Sequence, residues 1–185
     1  LVTAIGLAFI VGAAAFGSGL ALGFDIPLGG PPVARAADGT PEVNAWVVIR
    51  PDDTVTIRIA RSEMGQGTLT GLAQLVAEEL GCDWSKVTTE YPTPGQSAAR
   101  KRVWGSFNTG GSTGIRASQQ YVRRGGATAR MMLVQAAANE WNVPVTECTA
   151  AGSVITHAPS GRTMTYGMIA EAAARVEPPI DVKLK

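Results

Sequence analysis

Ser62-Glu63-Met64-Gly65-Gln66-Gly67 joins a run of strand character to a run of helical periodicity, with Thr68 placed to cap the helix. Glycine admits positive φ and lets a ligand approach the backbone with no Cβ in the way. A helix N-terminus adds unpaired N–H groups and partial positive charge, which suit a phosphate or pyrophosphate. The Gln66 amide carries both donors and an acceptor, enough to read the edge of a heterocycle. An ordinary strand-to-helix turn fits the same spacing, because a short glycine motif is weak without its context.

Upstream, Ala45–Arg50 and Thr54–Ile59 are rich in β-branched residues around Pro51-Asp52-Asp53, which predicts strand, turn, strand. Val55, Ile57 and Ile59 alternate with Thr54, Thr56 and Arg58, so one face is expected to be buried. Downstream, Leu69, Leu72, Ala73, Val76 and Leu80 recur at helical spacing, and Gly81 is placed to stop the helix. Val87–Tyr91 is the next expected strand. The order strand, strand, helix, strand predicts an α+β fold with helices on a mixed sheet.

Pro92 to Asn108 reads as an irregular loop whose basic run, Arg100-Lys101-Arg102, suits solvent or an acidic partner. Asn108-Thr109-Gly110-Gly111-Ser112-Thr113-Gly114 then opens a long helix, with Ile115, Ser118, Val122, Ala129, Met132, Leu133 and Ala136 inward. A kink is expected at Gly125-Gly126. This loop has the form of an anion cradle, and equally that of a flexible loop with a Ser or Thr cap. Asn142 and Pro144 end the helix. Short strands follow at Thr149-Ala150, Val154–Thr156 and Arg162–Met164, then a helix from Tyr166 to Arg175 with Thr165 as cap.

The 185 residues suit one domain, or a domain with an anchor, and a net charge of +1 with scattered basic residues predicts no nucleic-acid partner. Cys82 and Cys148 lack neighbours at metal-ligand spacing and are either disulfide-bonded or two free thiols. His157, beside the Pro159-Ser160-Gly161 turn, is expected at the surface, so the chemistry is not centred on histidine. Leu1–Phe24 carries no charged residue and exceeds the ~18 apolar residues of a candidate membrane span. It is expected to be an uncleaved transmembrane helix, with a buried hydrophobic hairpin as the alternative. The expected organisation is an anchor at 1–24, a Pro/Gly/Ala linker at 25–43, a domain at 44–175, and a linker to a further domain at 176–185.

Taken together, the two loops resemble the molybdenum-binding subunit of the xanthine oxidase family. The resemblance is to the branch of isoquinoline 1-oxidoreductase beta subunits and membrane-bound aldehyde dehydrogenase large subunits, and it covers roughly residues 44 to 185. Arg61-Ser62-Glu63-Met64-Gly65-Gln66-Gly67 is similar to that branch's Glu-Met-Gly-Gln-Gly signature, and Val76–Leu80 with Asp83–Val87 match the branch's sequence downstream of that signature. Thr109–Thr113 sits where the family has its second cofactor loop, and Gly161-Arg162 with Tyr166-Gly167 fits the end of the same domain.

The resemblance implies a molybdopterin-binding domain, the cofactor being molybdenum with molybdopterin cytosine dinucleotide, held jointly with other parts of the subunit. By that pattern Met64, Gly65, Gln66 and Gly67 contact the pterin or its phosphate, while Thr109, Gly110, Gly111, Ser112 and Thr113 hold another part. Glu63 caps or braces the first loop. The implied reaction is oxidative hydroxylation of an aldehyde or an N-heteroaromatic ring with water. Implied partners are the remainder of the molybdenum subunit, a small 2Fe–2S iron–sulfur subunit and a haem-bearing cytochrome c subunit, at the periplasmic side of a bacterial inner membrane. The family's catalytic glutamate, in a Gly-Val-Gly-Glu-like segment, has no match, so no catalytic residue is expected in this chain. A non-catalytic, membrane-anchored binding or assembly module is the alternative.

Overall fold

The computed structural model describes residues 11–16 and 19–24, as backbone, and residues 33–185 in full. The chain divides into a unit of residues 1–32 and a compact unit of residues 33–185. In the first, strands β1 (Val11–Phe16) and β2 (Gly19–Phe24) pair antiparallel, with Val11 opposite Phe24 and Phe16 opposite Gly19. This corrects the expected transmembrane helix over 1–24, of which residues 1–10 and 17–18 lie outside the described residues. Among the described residues no helix is long and apolar enough to cross a membrane. Gly12, Gly19 and Gly23 each cost a helix about 1 kcal/mol relative to alanine, which weakens the helical form of this run.

The second unit is α+β, as expected. Strands β3 (Val47–Ile49) and β4 (Val55–Arg58) pair antiparallel, and β5 (Val87–Glu90) joins β4 in parallel. The parallel connection is made by α1 (Thr68–Leu80), which ends at Gly81 in left-handed backbone, φ 72°. A second sheet is an antiparallel meander of β6 (Cys148–Ala151), β7 (Val154–His157) and β8 (Arg162–Thr165). The long helix α3 (Gly114–Trp141) packs against α1 and against α4 (Tyr166–Ala173). Ile49, Val55 and Ile57 of the first sheet meet Leu72, Val76 and Leu80 of α1, Leu133 of α3 and Tyr166 of α4 in one core.

Gly125-Gly126 lies inside α3, which runs from Gly114 to Trp141. A Cβ at Gly125 would lie 2.6 Å from Trp46 Cγ, and one at Gly126 would lie 2.4 Å from the Val76 carbonyl oxygen. The pair is therefore a close-approach surface for α1 and Trp46. The loop 92–108 contains a short helix, α2 (Pro94–Ala99), started by a capping box in which Thr93 accepts from the Gln96 N–H and Gln96 accepts from the Thr93 N–H. His157 is buried, 6 % exposed, between Ser160 (Nδ1 to Oγ 2.7 Å) and Glu147 (Nε2 to Oε2 2.8 Å). Both cysteines are free thiols, and burial pushes the Cys82 thiol up to about 11.

β4 is buried on both faces. Arg58 is only 2 % exposed, and its charge is met by Glu42 at 2.6 Å and by Glu90. Glu42 also receives both terminal nitrogens of Arg100. The Arg100 and Arg58 guanidinium groups lie 5.4 Å and 6.0 Å from the Trp104 ring. Arg100 of the basic run thus belongs to a buried charge network and is not a solvated face.

Candidate cofactor site

The two glycine loops meet. The first, Ser62–Gly67, leads from the β4 side into the N-terminus of α1; the second, Asn108–Thr113, leads into the N-terminus of α3. Because α1 and α3 pack side by side, their N-termini are neighbours, and a Cβ at Gly114 would come within 2.8 Å of Thr68 Oγ1. Glycine at the start of α3 is what permits that approach.

Hydrogen bonds lock the loops together. Thr109 Oγ1 donates to the Ser62 carbonyl at 2.8 Å, and Gln66 Nε2 donates to the same carbonyl at 2.9 Å. Gln66 Nε2 also reaches Thr68 Oγ1 at 2.9 Å and Thr109 Oγ1 at 3.4 Å, while its Oε1 accepts from the Met64 N–H at 2.6 Å. The Gln66 amide is thus committed to its own surroundings at both ends. Gly65 and Gly67 take left-handed backbone, φ 94° and 77°, and Gly67 occupies the N-cap position expected of Thr68. Met64 projects from the turn, 74 % exposed.

In the second loop the Gly110 N–H is bonded to Asn108 Oδ1, and Thr113 Oγ1 donates to the Gly110 carbonyl at 2.7 Å. Gly111 and Ser112 follow one another in left-handed backbone, φ 65° and 52°. Thr113 is the N-cap residue of α3 but its side chain does not cap the helix. The α3 terminus therefore keeps its donor groups beside small, exposed residues at 110–112, whereas at the α1 terminus the Leu69 N–H is taken by Glu63 Oε2. All nine expected site residues fall on these two joined loops.

Sequence reasoning passed over Arg61. It is 5 % exposed, its Nε donates to Ser118 Oγ of α3 at 2.9 Å, and its Nη1 donates to the Asn108 carbonyl at the start of the second loop. Tyr121 extends the chain by donating to Ser118 Oγ at 2.7 Å. One arginine therefore ties the first loop to both the second loop and the helix behind it. The signal was present, since Arg61 continues the inward phase of Val55, Ile57 and Ile59, and an inward arginine must find partners.

Donors at the α3 N-terminus, left-handed glycine backbone and absent side-chain bulk suit the anionic, planar parts of a pterin nucleotide. A family model described as the molybdopterin cofactor-binding domain matches residues 5–184. The chain belongs to that family. This molybdopterin cofactor-binding domain is 36 % identical over 154 residues to isoquinoline 1-oxidoreductase subunit beta of Brevundimonas diminuta, covering 77 % of this chain. It is 32 % identical over 158 residues, 83 % of this chain, to a Gluconacetobacter polyoxogenes protein named as a membrane-bound, pyrroloquinoline-quinone aldehyde dehydrogenase. The chain spans 19 % of the length of each of these relatives. Among solved structures it is similar to the Cu,Mo-CO dehydrogenase in its carbon monoxide reduced state, with TM-score 0.49 and 20 % identity over 66 % of this chain and 15 % of that one. The two curated relatives and the family model place the molybdopterin cofactor-binding domain in the xanthine oxidase family's molybdenum-binding branch, as its motifs predict.

Proposed function

We propose that this domain supplies part of the cradle for molybdopterin cytosine dinucleotide in a molybdenum hydroxylase that oxidises an aldehyde or an N-heteroaromatic ring. The observation that carries the reading is the hydrogen-bonded meeting of the two loops at adjacent helix N-termini. When bound, the cofactor would supply oxidative hydroxylation, in which water provides the oxygen, the substrate carbon gives up two electrons, and one proton leaves from the substrate C–H and one from water. The chain's own residues bind and orient it. Gly111 and Ser112 offer backbone donors to an anionic group, the Gly110 N–H being held by Asn108 Oδ1. Gln66 and Thr109 hold the two loops in register, and Met64 offers an exposed apolar contact. Electron transfer through an iron–sulfur subunit to a cytochrome c subunit, the remainder of the molybdenum subunit as partner, and a periplasmic location belong to the same proposal and rest on the family resemblance.

A non-catalytic assembly module is the second reading, favoured by one observation: Gln66 has its amide committed within the protein. Two variants separate the readings. Gly111→Val places a β-branched residue at φ 65°, a conformation costing an L-residue about 1–2 kcal/mol, with Thr113 Cγ2 in ordinary contact at 3.9 Å from the new Cβ. The expected outcome is a several-fold lower pterin and molybdenum content in protein that still folds. Gln66→Ala releases both loops at once and is expected to lower occupancy and thermal stability together. Unchanged occupancy in both variants would contradict a cofactor role for the loops.

A further inference from the structure

Glu63 is the one carboxylate on the two loops, and its contacts are all to backbone N–H groups of its own loop and of the helix that follows. Its Oε1 accepts from the Gly65 N–H at 2.7 Å and the Gly67 N–H at 2.8 Å, and its Oε2 accepts from the Leu69 N–H at 2.9 Å. Three backbone donors, two from left-handed glycines and one from the first turn of α1, thus converge on one carboxylate of the same loop. That is the donor arrangement with which nests and helix N-termini bind phosphate oxygens. The Glu63 backbone N–H is in turn held by Tyr91 Oη at 3.1 Å, so the residue is pinned at both ends. The Leu69 and Gly67 N–H groups hold the Glu63 carboxyl below the usual carboxylate range.

We propose that Glu63 is a built-in anion that fills the α1 cradle, so that the Ser62–Gly67 loop receives a neutral part of the bound cofactor and rejects its phosphate. This rests on the cofactor reading above and deepens it. A phosphate at the first loop would have to displace a carboxylate already holding three donors, or sit against its like charge. The loop is left with glycine backbone, the committed Gln66 amide and the exposed Met64 side chain, a surface suited to the uncharged face or edge of a heterocycle. Glu63 is accordingly a positioning residue: it fixes the shape of the loop before any ligand arrives.

The test is chemical rescue, read without activity. The protein is purified with its native partners as wild type, Glu63→Ala, Glu63→Asp and Glu63→Gln. Melting temperature and hydrogen exchange of the 62–69 segment are then followed with sodium formate or inorganic phosphate, against chloride at equal ionic strength. The alanine variant is expected to melt at least about 2–4 °C lower and to exchange faster, and either anion should restore both properties. Wild type should respond to neither anion. In Glu63→Gln the side chain still occupies the cradle, so faster exchange with no rescue is expected; the aspartate variant should fall between. If the alanine variant does not fold, the glutamine variant carries the test, and wild-type exchange in it would overturn the proposal. So would rescue of wild type and Glu63→Ala to the same extent, or of neither. Pterin content is measured on the same preparations. Rescue without any pterin would sink the cofactor reading and leave the built-in anion standing, whereas pterin without rescue would do the reverse.

Discussion

Glu42→Ala is expected to destabilise the domain by about 3–5 kcal/mol, the usual cost of removing one partner of a buried ion pair. The Glu42 side chain is 1 % exposed and the Arg58 side chain 3 %, so neither charge is solvated. Without Glu42, Arg58 keeps only Glu90, whose side chain is 44 % exposed, and Arg100 loses its paired contact beside Trp104. Urea unfolding is the measurement, read as a fall in midpoint at unchanged slope. A loss below about 1 kcal/mol would mean that the pair behaves as a surface salt bridge. The same network sets an acid dependence. Burial raises the Glu42 carboxyl, but hydrogen bonds and charge from Arg100 and Arg58 outweigh it and leave it below its ordinary value. A carboxylate with a depressed folded value stabilises above its unfolded value, near ~4.3, and loses that contribution as pH falls through the folded value. The stability gap between wild type and Glu42→Gln is therefore expected to be full at neutral pH and to narrow in acid below about pH 4.

Gly126→Ala is expected to destabilise by about 1–3 kcal/mol through overpacking, although alanine is the better helix former by about 1 kcal/mol. The clash decides the sign. The new Cβ would lie 2.4 Å from the Val76 carbonyl oxygen and 3.1 Å from Glu79 Cβ, and a helix backbone cannot yield as a side chain tip can. Gly95→Ala in α2 is the control: its Cβ finds nothing closer than Thr93 Oγ1 at 3.9 Å, so neutral or slightly raised stability is expected. Thermal melting of the two variants separates propensity from packing.

Those two sites also mark where sequence reading stops. The paired loops, the helix from Leu69 to Leu80 and the alternation of Val55, Ile57 and Ile59 are local patterns, and periodicity carries them directly. The close approach at Gly125-Gly126 leaves no local trace, since small residues in a helix serve a kink as readily, and only the neighbouring Val76 and Trp46 reveal it. Glu42 lies in a stretch without periodic apolar residues. Its role comes from Arg58 and Arg100, 16 and 58 positions away, and charge pairing at that range leaves no local trace. The Thr93-Pro94-Gly95-Gln96 start signal of α2 was legible as a capping box but is short, and a short helix has little apolar periodicity of its own. His157 was misjudged because turn residues beside it suggested solvent, whereas Glu147 and Ser160 bring it inside. For residues 1–24, hydropathy counted apolar residues but took no account of the glycines, and Val11–Phe16 with Gly19–Phe24 form paired strands.

Within the site, residue types at 64–67 and 109–113 point to a ligand, but the division of labour between the loops is visible only in the hydrogen bonds. Glu63 and Gln66 satisfy the first loop from within, and Arg61 ties it to the second.

The central claim is that these joined loops hold a molybdenum cofactor. Its most direct test is metal and pterin analysis of the protein purified from its native host with whatever co-purifies. Molybdenum together with a pterin cytosine dinucleotide, present in wild type and depleted in Gly111→Val, is the predicted result. A clean, folded preparation with neither molybdenum nor pterin would contradict the account.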